Sequence, residues 1–519
     1  MTMTNHQTRK SVATTLKLST ISLAIVLAGC ASRIQDLPES PEIAIPQSFD
    51  QANVAVALPS ETSSTQKEEE QPVKAGWVSN FGDADLNKHV QKALQNNPDL
   101  WNSASQLRNA IEQVTVTGSA LWPSLSLSGT ASNTDSTEET DADGKSNSEI
   151  RSIGGTLDIS WEIDVWRKLS ERKKAAALGA KAQTELFKAA ELSLVANVSR
   201  AWFNVITNKL QLDLAQRRLD SFERTANLIE ENYERGLRSA LDVYRSRTDV
   251  QVQRSSLADS KFNYLRSLRA FKTLLGEYPD TSLAFNAKLP EITDSVGTGL
   301  PAELLSRRPD LKASQLNYEA SIANAKAAHR DRFPALNFTG TIGESRDTIN
   351  SLFDRDNMIE RFILNLTQPV FAAGSLRSRE EQAYNDAEAA YANLVKTSLT
   401  AFEEVENTLS QETLLKQQYA ATKEAVKLAQ GGLNLALDRY QSGIENYNTV
   451  LDSQRSLFNS MSNEINIQNA LLQNRIGIHL ALGGNFSNEV NRDSLAQLPS
   501  PMNSSAADEN VPVISKPDN

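Results

Sequence analysis

The chain has 519 residues, with 39% hydrophobic but only 6% aromatic side chains, which suits long helices with narrow apolar seams better than thick packed cores. Its net charge of −11, from 53 basic and 64 acidic residues, excludes general nucleic-acid binding through a basic surface. Beyond the N-terminus no run of apolar residues is long enough for a transmembrane helix, whereas the short alternating strands of a β-barrel stay possible.

Arg9, Lys10 and Lys17 precede the apolar run Ile21–Ala28, followed by Gly29, Cys30, Ala31 and Ser32. A basic head, a short apolar stretch and small residues at the exit have the layout of an export signal. Cys30 is the only cysteine. Its place resembles the bacterial lipoprotein signal, in which the cysteine is lipidated and becomes residue one. One acyl chain binds a membrane only marginally, so a stable anchor takes several chains or a second attachment. Removing 1–29 leaves 50 basic against 64 acidic residues, a net charge of −14.

Residues 30–76 then read as lipid anchor and extended tether, rich in Pro, Ser and Glu without periodicity. The body is a tandem repeat, 77–290 and 291–485, and the tail 486–519 is again loose in composition. Asn97-Pro-Asp-Leu100 matches Arg308-Pro-Asp-Leu311, and Trp122-Pro-Ser-Leu matches Phe333-Pro-Ala-Leu, both at an offset of 211. From Leu157/Leu364 through Tyr233/Tyr440 to Leu275/Leu482 the offset is 207. One four-residue change in a polar interval accounts for the difference; surface connections tolerate such changes best.

Each copy predicts the same elements. A helix starts at Asn-Pro-Asp or Arg-Pro-Asp, with Pro and Asp in its first turn, and Trp-Pro or Phe-Pro ends it. A strand follows, with Leu125 and Leu127 alternating with serines, or Leu336, Phe338 and Ile342 alternating with Asn and Thr. A polar loop is expected at Asn133–Glu149 and at Ser345–Asn357, and a return strand at Leu157–Ile163 and at Phe362–Phe371. The acidic stretch from Asp135 reads as a solvated outer loop. Leu169–Tyr233 then runs without proline as one helix of ~100 Å at 1.5 Å per residue. Leu219, Phe222, Ala226, Ile229 and Tyr233 step along it as a coiled-coil seam, and Val426, Leu433, Leu437 and Tyr440 do so in the second copy. Gly236 and Gly443 stop these helices and begin a return helix. Trp161, Trp166 and Phe371 fall at strand-to-helix junctions, suited to a membrane interface or to packing.

Four strands cannot close a barrel, and open edges are not tolerated in lipid. Either the strands lie outside a membrane or several chains share one barrel; three chains would bring twelve strands. His6, His89, His329 and His479 are scattered, no metal-ligand spacing appears, and no phosphate loop or nucleophile motif is present. No catalysis, cofactor or metal is therefore expected.

Trp77…Phe81-Gly-Asp-Ala-Asp-Leu86, Asn97-Pro-Asp-Leu100, Ser160-Trp-Glu-Ile-Asp164, Leu300-Pro-Ala-Glu-Leu-Leu305…Arg307-Arg-Pro-Asp-Leu311 and Gln368-Pro369…Gly374 occur in order. Each is weak singly. Together they make the chain resemble the outer-membrane efflux proteins typified by TolC, in the lipoprotein subgroup of the NodT/OprM type. The resemblance covers about Ala75 to Gly484. It implies a mainly α fold with a small β part: a homotrimeric twelve-stranded β-barrel in the outer membrane, continued by a twelve-helix α-barrel into the periplasm. It further implies a periplasmic adaptor (membrane fusion protein) and an inner-membrane pump of the proton-driven RND type as partners. Drugs or other small toxic compounds would pass from pump and adaptor to the outside.

By the same resemblance the helix turns form the periplasmic end, with Gly236, Leu237, Arg238, Gly443 and Ile444 at the adaptor contact. Asp242, Tyr440 and Asp452 match gate positions. Glu445 stands where a gate Arg is found and Thr449 where a further Asp is found, so the basic partner falls to Arg238 or Arg245. Two other readings stay open at this point: a type I-like secretion conduit, and a lipid-anchored periplasmic coiled-coil scaffold.

Overall fold

The computed structural model describes Pro38 and residues 76–140, 144–292, 304–346 and 358–484. Cys30, the signal segment, most of the tether and the tail lie outside these residues. In chain order the elements are α1 (Ala84–Asn96), α2 (Pro98–Ser119), β1 (Ser124–Thr140), β2 (Gly144–Ile163), α3 (Lys168–Glu234) and α4 (Ala240–Leu274). After a single helical turn at Leu304–Arg307 come α5 (Pro309–Arg330), β3 (Ala335–Arg346), β4 (Ile359–Thr367), α6 (Ser375–Gln441) and α7 (Tyr447–Ala481). From Pro98 and from Pro309 the order is the same: helix, two strands, a 67-residue helix and a 35-residue helix. None of the described helices is long and apolar enough to cross a membrane.

The matched sequence motifs do matched work. Asn97 accepts from the Leu100 backbone N–H at 3.0 Å, capping α2, while its Nδ2 donates to the Leu274 carbonyl at 3.0 Å. In the second copy Arg308 Nη1 donates to the Ala481 carbonyl at 3.1 Å. Leu274 and Ala481 are themselves related by the offset of 207. Each motif thus satisfies a carbonyl that the C-terminal turn of the return helix leaves without a partner.

The chain folds as two compact units, each taking segments from both halves. One comprises 113–179, 317–393 and Pro38; the other comprises 76–112, 180–316 and 394–484. The first holds a four-stranded antiparallel meander in the order β1-β2-β3-β4. Leu125 pairs with Ile159, Trp161 with Phe338, and Phe338 with Leu364. Because side chains alternate along each strand, these partners share one face, which is apolar. The opposite face carries Ser126, Ser128, Asp158, Thr339 and Thr341. There Asp158 accepts hydrogen bonds from Thr156 at 2.9 Å, Thr341 at 2.9 Å and Ser128 at 3.4 Å. At the sheet's end Trp166 donates to the Pro334 carbonyl at 2.7 Å and Trp161 to that of Leu121 at 3.1 Å.

Two expectations about the sheet need correction. The segment expected as a polar loop, Asn133–Glu149, is paired strand: Asp135 faces Glu149 and the ladder continues to Thr140 opposite Gly144. Residues 141–143 lie outside the described set. Beyond Ala131 and Ile153 the only large apolar residue of the two described strands is Ile150, so the two-residue hydrophobic period disappears while backbone pairing continues. Ser345 and Arg346 are likewise in β3, and the rest of the second predicted loop, 347–357, lies outside the described residues. The return strand expected at Phe362–Phe371 is Ile359–Thr367; Pro369 has no N–H to extend a ladder.

In the second unit, Trp77, Trp202, Phe203 and Phe271 anchor one buried cluster. Another follows the predicted seam, where Leu219, Phe222, Ala226 and Ile229 of α3 pack with Val250, Leu433, Tyr440, Val450 and Phe458. Tyr233, the expected last member of the seam, is instead 45% exposed. Its repeat counterpart Tyr440 is fully buried.

Candidate functional site

The site is built at the α3–α4 and α6–α7 turns. Gly236 and Gly443 adopt left-handed conformations, φ +75° and +76°, which glycine enters without steric cost. The N–H of Gly236 bonds the Tyr233 carbonyl at 2.8 Å and that of Leu237 the Asn232 carbonyl at 2.8 Å. Gly443 and Ile444 repeat both bonds, to Tyr440 and Arg439, at 3.0 and 2.9 Å. This double closure satisfies the last helical carbonyls. The next helices start on side-chain caps: Ser239 accepts from Asp242 N at 3.3 Å and Asn446 from Thr449 N at 3.2 Å. Leu237 and Ile444, equivalent in the repeat, are 68% and 66% exposed at the two tips.

The two turns are joined by polar side chains. Arg238 donates to the Tyr440 carbonyl at 2.8 Å, and its guanidinium carbon lies 4.2 Å from the Tyr440 ring centroid. Such a cation over an aromatic face contributes about 0.5–2 kcal/mol. The Tyr440 hydroxyl is buried without a hydrogen-bond partner. Burial holds its pKa above the usual phenol value; Arg238 opposes that shift and the charge of Asp242 adds to it. Asp242 also accepts from the Ser239 hydroxyl at 3.0 Å.

Glu445 is the repeat counterpart of Arg238, with the charge reversed. Its carboxylate lies 3.6 Å from Arg439 and accepts from the Thr449 hydroxyl at 3.2 Å. Arg245 donates to Asn448 at 3.4 Å. Asp452 is exposed and makes no hydrogen bond or ion pair among the described residues. The structure therefore brings Arg238, Tyr440 and Asp242 together and leaves Asp452 apart.

A second cross-link escaped sequence reasoning. The buried Tyr447 hydroxyl donates to Asp249 Oδ2 at 3.0 Å, and Arg455 Nη2 lies 3.2 Å from Asp249 Oδ1. Burial, followed by the Asp249 charge, pushes the Tyr447 phenol far above its usual range. Asp249 lies seven residues beyond Asp242 and Arg455 eight beyond Tyr447. Helical spacing can suggest these positions only when the α4–α7 contact is already known. Among the described residues no group of three or more His, Cys, Asp or Glu side chains is placed to hold a metal.

The chain is 28% identical to the toluene efflux pump outer membrane protein TtgF of Pseudomonas putida, over 92% of this chain and 98% of TtgF. It is 26% identical to SilC of Salmonella typhimurium, described as a probable outer membrane lipoprotein, over 91% and 99%. The Campylobacter jejuni CmeC outer membrane channel shares the fold, with a TM-score of 0.75 at 22% identity over 88% of this chain and 96% of CmeC. The profile of the outer membrane efflux proteins matches twice, at residues 89–277 and 300–484, each match ending at the close of a return helix. The chain belongs to the outer membrane efflux protein family.

Proposed function

We propose that this chain is the outer-membrane channel subunit of a tripartite efflux system. It would pass small toxic compounds from an inner-membrane pump and periplasmic adaptor to the outside. The observation that carries this reading is the sheet. Its apolar face is exposed, with Leu127 84%, Leu364 60% and Leu366 70% accessible. The outer edges of β1 and β4 have no strand partner in the meander. Lipid tolerates such strands only in a closed barrel, and three copies would supply twelve. The apolar face of β2 runs from Ile153 to Ile163, about 33 Å at 3.3 Å per residue, enough for the apolar band of a tilted barrel strand. Beyond it the polar β1–β2 hairpin would leave the membrane. Cys30 as lipid attachment is supported by its signal layout and by the relative described as a lipoprotein.

At the helix turns, Gly236, Leu237, Arg238, Gly443 and Ile444 would meet the adaptor, with Leu237 and Ile444 as its apolar contacts. Asp242, Tyr440, Glu445 and Asp452 would hold the resting channel closed. A pump of the RND type would drive transport. A relative named for toluene efflux supports small apolar cargo. The test is reconstitution of the purified protein in planar bilayers, with outer-membrane fractionation and heat-modifiable gel mobility. A heat-labile trimer giving discrete conductance steps is expected. A monomer that becomes soluble on removal of the anchor would instead identify a periplasmic scaffold.

A further inference from the structure

One row on the polar face of the sheet differs from its neighbours. Backbone register aligns Ser126, Asp158, Thr341 and Arg361 across β1, β2, β3 and β4. The row on one side is Ser124, Ser160, Thr339 and Ile363, and the row on the other is Ser128, Thr156, Gly343 and Ile359. Both are uncharged. Asp158 is held by hydroxyls from three strands, Thr156 of β2, Ser128 of β1 and Thr341 of β3. Such donors stabilise a carboxylate without neutralising it. The other two acids of β2 sit beside bases, Glu149 2.8 Å from Arg151 and Glu162 2.5 Å from Lys168. Asp158 and the exposed Arg361 make no ion pair among the described residues. Two strand spacings separate them, about 9–10 Å, with Thr341 between.

We propose that Asp158 and Arg361 form a balanced charge girdle inside the barrel, which lets the outer passage admit cargo of either sign. This rests on the reading of the sheet as one third of a shared twelve-stranded barrel. Side chains alternate between the faces of a strand, so an apolar face turned to lipid leaves this row lining the lumen. Three copies repeat β2 and β4 at every second strand, and negative and positive charges then alternate evenly around the wall. Their spacing exceeds the Debye length, about 8 Å at physiological ionic strength. Each charge therefore acts on what passes it, while the girdle as a whole carries no net charge. A ring of carboxylates alone would repel anions, and a ring of guanidiniums alone would repel cations. The uncharged rows on both sides put no other fixed charge next to the girdle in the described strands.

The experiment places a thiol between the two charges, as Thr341→Cys in the full chain, in outer membranes isolated from expressing cells. Asp158 keeps its other two donors, and the chain without the new thiol gives the background. Rates of modification by a cationic and an anionic methanethiosulfonate are compared, with Leu127→Cys on the apolar face as a second probe. The thiol at 341 should react and that at 127 should not. The ratio of cationic to anionic rate at 341 should match that of a free small thiol. Adding Asp158→Asn should lower it about threefold in 0.15 M salt and about sevenfold in 0.01 M. Adding Arg361→Gln should raise it, both changes together should restore it, and Asp158→Glu, which keeps the charge, should leave it near its starting value. Ser126→Cys, which also faces Asp158 and takes no bond from it, repeats the Asp158 arm if Thr341→Cys does not assemble. A ratio that ignores either charge would overturn the girdle and leave the barrel standing. Reaction at 127, or silence at both positions, would defeat the barrel reading and the girdle with it.

Discussion

Residues at the helix tips and in the last turn of α7 carry the most specific consequences. The carboxylates of Asp242 and Asp452 differ in setting: Asp242 is tied to a cap and lies near Tyr440, whereas Asp452 is exposed. If both line the closed end, Asp242→Asn with Asp452→Asn should raise the resting conductance of reconstituted trimers and weaken cation preference. Unchanged conductance and selectivity would remove them from the gate. His479 is a different case. It stacks on Trp77 with centroids 5.3 Å apart, its Nδ1 is buried without a partner, and burial, with Arg475 nearby, holds its pKa at about 4. An unfolded histidine titrates near 6.5. Above that value the neutral ring has no effect on the pH dependence. As pH falls from about 6.5 to about 4 the unfolded state takes up a proton that the folded state refuses, so stability falls, by up to ~3 kcal/mol. Thermal unfolding at pH 7.5 and pH 5 should show this loss, and His479→Gln should flatten it.

Among the elements, the two 67-residue helices differ in one respect that packing does not explain. α6 contains Gly431 and Gly432 side by side, and an added Cβ at either meets nothing within 4 Å. Glycine inside a helix costs about 0.5–1 kcal/mol relative to alanine. Gly431→Ala and Gly432→Ala should therefore each stabilise α6 by about that amount, measurable as a higher midpoint in denaturant-induced loss of helical circular dichroism. A lower midpoint would mean that the assembled molecule needs the space that the absent side chains leave. The helices were legible because the 3,4 spacing of Leu219, Phe222, Ala226 and Ile229 is a property of the chain itself. The strand segments 133–140 and 144–149 were not, because a ladder of Ser, Thr, Asn and Glu has no hydrophobic period. Only their partners across the hairpin reveal them.

For the whole molecule, the sheet faces make opposite predictions. On the apolar face, Leu127→Arg should block membrane assembly, since a cation near the midplane of a barrel's lipid face costs about 2–4 kcal/mol in each copy. On the polar face, Ser126→Arg should leave the heat-modifiable trimer intact and change ion selectivity. Equal tolerance of both would show that neither face meets lipid. The same comparison distinguishes a shared barrel from a sheet that stays in the periplasm.

The chain alone determined the doubled helix–strand–strand–helix–helix order, the helix stops at Gly236 and Gly443, and the family. Those depend on local conformational preference, on periodicity and on motifs that recur at a constant offset. Only the tertiary structure decided that Arg238 meets Tyr440, that Tyr447 and Arg455 share Asp249, and that Tyr233 is exposed while Tyr440 is buried. Positions equivalent in sequence become unlike because the two turns meet within one chain: Arg238 of the first covers Tyr440 of the second, while Tyr233 stays exposed. Charge and burial are then set by residues some two hundred positions away.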